Sequence, residues 1–170
     1  MRYDDKCEAT PAVAGAMNPV RRRWLVAAAA WASLPATTWT WAAERNLVEV
    51  WKSPSCGCCK DWVAHLEANG FVVKVSDVGN TGMRGRLGIP AALGSCHTAL
   101  VGGYAIEGHV PARDIQRLLA ERPSAVGLAV PGMPVGSPGM DGPEHGGRRD
   151  RYDVLLLRKD GNTAVFASHA

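Results

Sequence analysis

Leu47-Val48-Glu49-Val50-Trp51-Lys52-Ser53-Pro54-Ser55-Cys56-Gly57-Cys58-Cys59-Lys60-Asp61-Trp62-Val63-Ala64-His65-Leu66-Glu67-Ala68 joins a strand pattern to a helix pattern through a turn that carries three thiols. Leu47 to Trp51 reads as a strand, and Lys60 to Ala68 has apolar residues at helical spacing. Cys56, Cys58 and Cys59 between them are more sulfur than one disulfide can use. The partial positive charge of a helix start favours thiolate, the form that attacks disulfides or binds soft metals.

Downstream, Asn69-Gly70 stops the helix and Phe71 to Val75 reads as a second strand, giving a strand-helix-strand unit with a parallel pair. The Gly-rich stretch from Asp77 to Pro90 has room for one short helix around Gly82 to Leu87. Cys96 to Val101, the turn Gly102-Gly103 and Tyr104 to Val110 form a hairpin pattern. A helix is expected from Pro111 to about Arg122, with Ile115, Leu118 and Leu119 on one face. Gly127 to Arg149 alternates Pro and Gly and reads as a loop or flap. Tyr152 to Leu157 and Thr163 to Phe166, around Asp160-Gly161, predict a second hairpin. This order predicts a thioredoxin-like α/β fold: a central mixed sheet with flanking helices, plus the Pro/Gly/Met loop and the C-terminal hairpin.

Upstream, Arg21-Arg22-Arg23 precede the apolar run Trp24 to Leu34, which Pro35 closes, and small residues follow around Ala42-Ala43. A spanning helix needs about 20 apolar residues, so the expectation is a leader with a cleaved export signal over 1–43 and one metal-binding domain over 44–170. General secretion to the periplasm is the route this implies. The alternative is a twin-arginine signal, which Arg21-Arg22-Arg23-Trp24-Leu25 resembles apart from Trp24 and Val26. The net charge of +3 includes the leader's arginines, leaving no basic stripe for nucleic acid. No membrane association is expected after cleavage.

Losing the leader removes Cys7 and leaves Cys56, Cys58, Cys59 and Cys96. Pairing Cys58 with either cluster neighbour is strained, so the easy bridge is from Cys96 to a member of the trio. In the thioredoxin-like plan the turn Ser95-Cys96-His97-Thr98 lies beside the cysteine-bearing helix start, where thioredoxins place a proline. Four converging thiolates suit Cu(I), Zn(II) or an iron-sulfur cluster. Cys-x-Cys-Cys crowds its sulfurs in a way that favours bridging several Cu(I) ions over the separated arms of a zinc site. Met133 and Met140, in a loop with little core to pack, are soft thioether candidates, or else simple caps on the domain. His97 is a candidate ligand or a hydrogen-bonded strand-end residue. His109 reads as structural, His65 as surface, and His145 and His169 as weak candidates.

Together, Trp51 to Trp62, Ser95-Cys96-His97-Thr98, Glu107-Gly108-His109-Val110-Pro111 and Gly127 to Met140 resemble the CopG-type family of exported proteins, often encoded with copper-resistance systems and long catalogued as of unknown function. The resemblance implies a thioredoxin-like fold with a cysteine-bridged multinuclear copper site, and a role in copper resistance or Cu(I)/Cu(II) interconversion. It carries the metal ligands onto Cys56, Cys58, Cys59 and Cys96, with Met133, Met140 and His97 as neighbours. Copper ions and other periplasmic copper-handling proteins are the partners it implies. Whether the chain is an enzyme, a copper oxidoreductase, stays open. Two other readings remain: a thiol-disulfide oxidoreductase using the Cys56/Cys59 spacing, and a structural zinc module.

Overall fold

The computed structural model describes residues 46–170; the leader and export signal expected over 1–43 lie outside the described residues. Strand β1 (Leu47–Lys52) leads into helix α1 (Gly57–Ala68), and β2 (Val72–Ser76) returns parallel to β1. Helix α2 (Thr81–Arg86) and a 3-10 turn (Ala91–Leu93) precede the antiparallel pair β3 (His97–Val101) and β4 (Tyr104–Glu107). Helix α3 (Ala112–Glu121) then crosses to β5 (Ala125–Ala129), which lies parallel to β4. Strands β6 (Tyr152–Arg158) and β7 (Thr163–His169) complete a mixed seven-stranded sheet of order β2-β1-β3-β4-β5-β6-β7. Among the described residues no helix is long and apolar enough to cross a membrane.

The β1 strand alternates, burying Val48 and Val50. Helix α1 buries Cys59, Trp62 and Leu66, one stripe at helical spacing. Helix α3 buries Ala112, Asp114, Ile115 and Leu118. Together with Ile106, Leu128 and Val154, the side chains of Val48, Val50, Trp62, Leu66, Ala112, Ile115 and Leu118 belong to one apolar cluster, and full burial of each large one stabilises the fold by roughly 2 kcal/mol. The Trp62 indole N–H donates to the Val110 carbonyl at 2.9 Å, so the helix that carries the cysteines is also tied to the far end of the hairpin.

Several boundaries differ from the sequence expectation. Helix α1 starts at Gly57, not Lys60, which brings Cys58 and Cys59 into its first turn. The expected loop from Gly127 begins later, because Ala125–Ala129 is a strand held between β4 and β6. Strand β4 ends at Glu107, where Gly108 bends the chain with φ +72. The C-terminal hairpin is present, with Lys159 to Asn162 as its connection. The segment between β5 and β6 is irregular apart from a 3-10 turn (Pro143–His145), yet it is no free flap. Ser137 is fully buried, and Val135 and Asp150 exchange backbone and side-chain hydrogen bonds.

Candidate metal centre

Register brings the sulfurs together. In the β1/β3 pair, Lys52 stands opposite His97 and Trp51 opposite Thr98, so the residues leaving β1 and those entering β3 meet at one end of the sheet. Cys56 is the N-cap of α1 and makes no side-chain cap, and no acidic side chain occupies the first turn. The dipole of the helix start therefore faces the thiols without a competing carboxylate. Cys56, Cys58, Cys59 and Cys96 have sulfurs all within 4.8 Å of one another. Cys58 Sγ lies 3.8 Å from Cys96 Sγ and 3.6 Å from Cys56 Sγ.

Cys56 and Cys59 are joined in a disulfide, while Cys58 and Cys96 are free. This corrects the expectation of a bridge from Cys96. With α1 starting at Gly57, positions 56 and 59 share one face of the first turn, and their Cα atoms stand 5.4 Å apart. Cys96 keeps its proton: burial, then the neighbouring Cys58, pushes its thiol up to about 12.

A second group of donors shares Cys96. Its sulfur lies 3.1 Å from His109 Nε2 and 3.3 Å from His97 Nδ1. His109 Nδ1–H donates to the Pro138 carbonyl at 2.8 Å, which leaves its Nε2 lone pair facing the sulfur. Burial, with the Pro138 carbonyl opposing it, holds the His109 pKa below the usual histidine value. His97 is fully buried beneath Trp62, at 4.2 Å between ring centroids. Its Nε2 has no hydrogen-bond partner. Burial, and then His109, lower the His97 pKa to about 3. Two neutral imidazoles beside four sulfurs make a soft donor set that fits Cu(I).

That lowered value has a consequence for stability. The unfolded chain takes a proton on His97 as pH falls through 6.5, while the folded chain refuses it until about 3. The contribution is complete above the unfolded value and is lost between the two, at about 1.4 kcal/mol per pH unit. Urea unfolding of the metal-free chain across that interval should show the slope, and His97→Gln should flatten it.

His109, expected as a structural residue, meets Cys96. The signal was available in the hairpin. Closing β3 and β4 with the two-residue turn Gly102-Gly103 pairs Val101 with Tyr104 and Thr98 with Glu107. Continuing that register past the strand ends sets His109 across from Cys96. Met133 is 52% exposed and lines a surface groove with Pro131, Asp150 and Leu155, while Met140 is half-buried. Gly139, just before Met140, packs against the Cys58 carbonyl at the start of α1. His65, expected at the surface, accepts the Ala112 N–H that opens α3, and His169 is paired with Asp114 at 2.7 Å.

Residues 93–140, which include Cys96, His97, His109 and the Pro/Gly/Met segment, match the family model described as "Protein of unknown function, DUF411". No curated protein matches the chain. Two solved structures, "Copper resistance protein copG- Form 2" and "Copper resistance protein copG- Form 1", are each 48% identical to it, with TM-scores of 0.67 and 0.66. They cover 73% and 74% of this chain, and the match spans 98% of each of theirs. On that identity and coverage, the chain belongs to the DUF411 family, together with copper resistance protein CopG.

Proposed function

We propose that this chain is an exported periplasmic copper-binding protein that holds Cu(I) in a cluster of thiolates and contributes to copper resistance. The observation that carries the reading is the convergence of Cys56, Cys58, Cys59 and Cys96 within 4.8 Å, with His97 and His109 against the last of them. Copper is cargo here, and the residues prepare for it. Thiolate bridges can hold several Cu(I) ions in so small a volume, the imidazoles are neutral and ready to coordinate, and the loop carbonyl of Pro138 aims His109. Met133 and Met140 are proposed as thioether ligands at the loop side. The membership of CopG, a copper resistance protein, supports copper as the metal.

The sub-order β2-β1-β3-β4, parallel between β1 and β2 and antiparallel from β1 through β4, supports a thioredoxin-like core extended by β5, β6 and β7.

The Cys56–Cys59 disulfide sets a condition on loading. Opening it takes two electrons and two protons from a dithiol reductant, which becomes a disulfide, and only then are four thiols available. Anaerobic loading with Cu(I) followed by elemental analysis tests this. The reduced chain should hold more than one copper, and the disulfide-closed chain fewer. One zinc per chain, or equal copper in both states, would overturn the reading.

The same disulfide favours a second reading, a thiol-disulfide oxidoreductase. Cys56 is half-buried and Cys59 fully buried, so a substrate thiolate would reach Cys56 first. Full disulfide-exchange turnover by the metal-free chain would select it over the copper reading.

A further inference from the structure

Helix α2 buries none of its residues, so hydrophobic packing does not account for it. What it supplies is Asn80, at its N-cap, and Arg84. Both reach the turn before β3. Arg84 Nε donates to Glu107 Oε1 at 2.8 Å and its Nη2 donates to the Ser95 carbonyl. Asn80 Nδ2 donates to the same carbonyl at 3.1 Å and to Thr98 Oγ1 at 3.2 Å.

Glu107 is the centre of the arrangement. It is the last residue of β4, and its side chain is fully buried. Besides Arg84 it accepts the Ser95 backbone N–H at 2.6 Å and the Thr98 hydroxyl at 2.6 Å. Burial pushes its carboxyl upward, and the hydrogen bonds from Thr98, Ser95 and Arg84 pull it back. Ser95 is thus held by both its N–H and its carbonyl, and Thr98 by its hydroxyl. These residues flank Cys96-His97, and the hydrogen bonds of the Glu107 carboxylate go to Arg84, Ser95 and Thr98. A buried, paired carboxylate is weak evidence for stability and is better attested as a device that selects one geometry.

We propose that Glu107, clamped by Arg84, is a positioning residue that fixes the Ser95–Thr98 turn so that the Cys96 sulfur stands within reach of Cys58. The proposal deepens the copper reading above and rests on it for its consequence, while the placement itself can be read without metal.

Dibromobimane bridges two thiols a few ångströms apart and fluoresces only when both have reacted. With the Cys56–Cys59 disulfide left closed, in a Cys7→Ser full chain, it reports the Cys58 to Cys96 separation directly. Glu107→Ala should lower the cross-linking rate about tenfold, and Glu107→Gln, which keeps the shape and one acceptor, should recover part of it. Arg84→Met loosens the same clamp from its solvent side, so the idea stays testable if Glu107→Ala does not fold. Rates unchanged in every variant that folds would overturn the positioning role, whatever the metal.

The copper consequence is read separately by competition for Cu(I) in the reduced chain. If the clamp acts through Cys96, Glu107→Ala and Cys96→Ser are strongly non-additive, and the double variant is no worse than Cys96→Ser alone. Fully additive losses would assign Glu107 a general structural role and overturn the proposal. Slower cross-linking with no Cu(I) bound by the parent chain would instead uphold the placement and sink the copper reading.

Discussion

Replacing Cys96 with serine lowers Cu(I) retention by the reduced chain about 100-fold or more, a loss near 3 kcal/mol. The other three sulfurs all come from the cap and first turn of α1. Cys96 alone approaches from β3, at 3.8 Å from Cys58, and it alone contacts both imidazoles. A serine hydroxyl is a hard, shorter donor that stays protonated, so it neither bridges Cu(I) nor closes the pocket. Competition against a chromophoric Cu(I) chelator measures the change. Serine at Cys7, which belongs to the expected leader, serves as the control and should leave retention unaltered. Retention within twofold for Cys96→Ser would contradict the account.

Gly139→Ala is expected to destabilise the fold by roughly 3 kcal/mol and to weaken copper binding without removing a ligand. Gly139 has φ +82, and a Cβ there would stand 2.5 Å from the Cys58 carbonyl oxygen and 2.7 Å from the Trp62 nitrogen. Both are backbone atoms of α1, so no side-chain rotation relieves the overlap. The left-handed conformation adds a further cost of about 1 kcal/mol. Relief requires the loop to lift away from the cysteine turn, which takes the Pro138 carbonyl from His109 Nδ1 and frees that ring. Gly132→Ala is the matched control, with φ +71 but open space around its Cβ. Thermal unfolding should show a drop of roughly 10 °C for Gly139→Ala and a much smaller one for Gly132→Ala. Equal drops would mean that the loop's close approach to α1 contributes nothing.

Much of this arrangement was legible because local chemistry and tertiary structure agree. The alternation of Leu47 to Trp51, the helical stripe of Trp62 and Leu66, and the Gly102-Gly103 turn each specify an element on their own. Together they imply that Cys96 comes home to the trio, as the sulfur distances bear out. What stayed hidden depends on long-range pairing. Ala125–Ala129 contains Gly127 and resembles the start of a loop, and it becomes a strand because β4 and β6 flank it. The Cys56–Cys59 bridge turned on a helix start three residues earlier than the apolar spacing suggested. His109 lies inside the Tyr104 to Val110 pattern but beyond the end of β4, and only the pairing register carried back to Cys96 reveals that it meets the sulfur. The Glu107 network has no sequence signature, because Asn80, Arg84, Ser95 and Thr98 become neighbours only after α2 folds back onto the hairpin.

The central claim is that the sulfurs of α1's first turn and the sulfur before β3 jointly ligate Cu(I). X-ray absorption at the copper edge of the reduced, anaerobically loaded full chain tests it most directly. Expected are a Cu(I) edge, a first shell dominated by sulfur, and copper-copper scattering that disappears in Cys96→Ser. A first shell of nitrogen and oxygen, or a spectrum unchanged by that substitution, would contradict it.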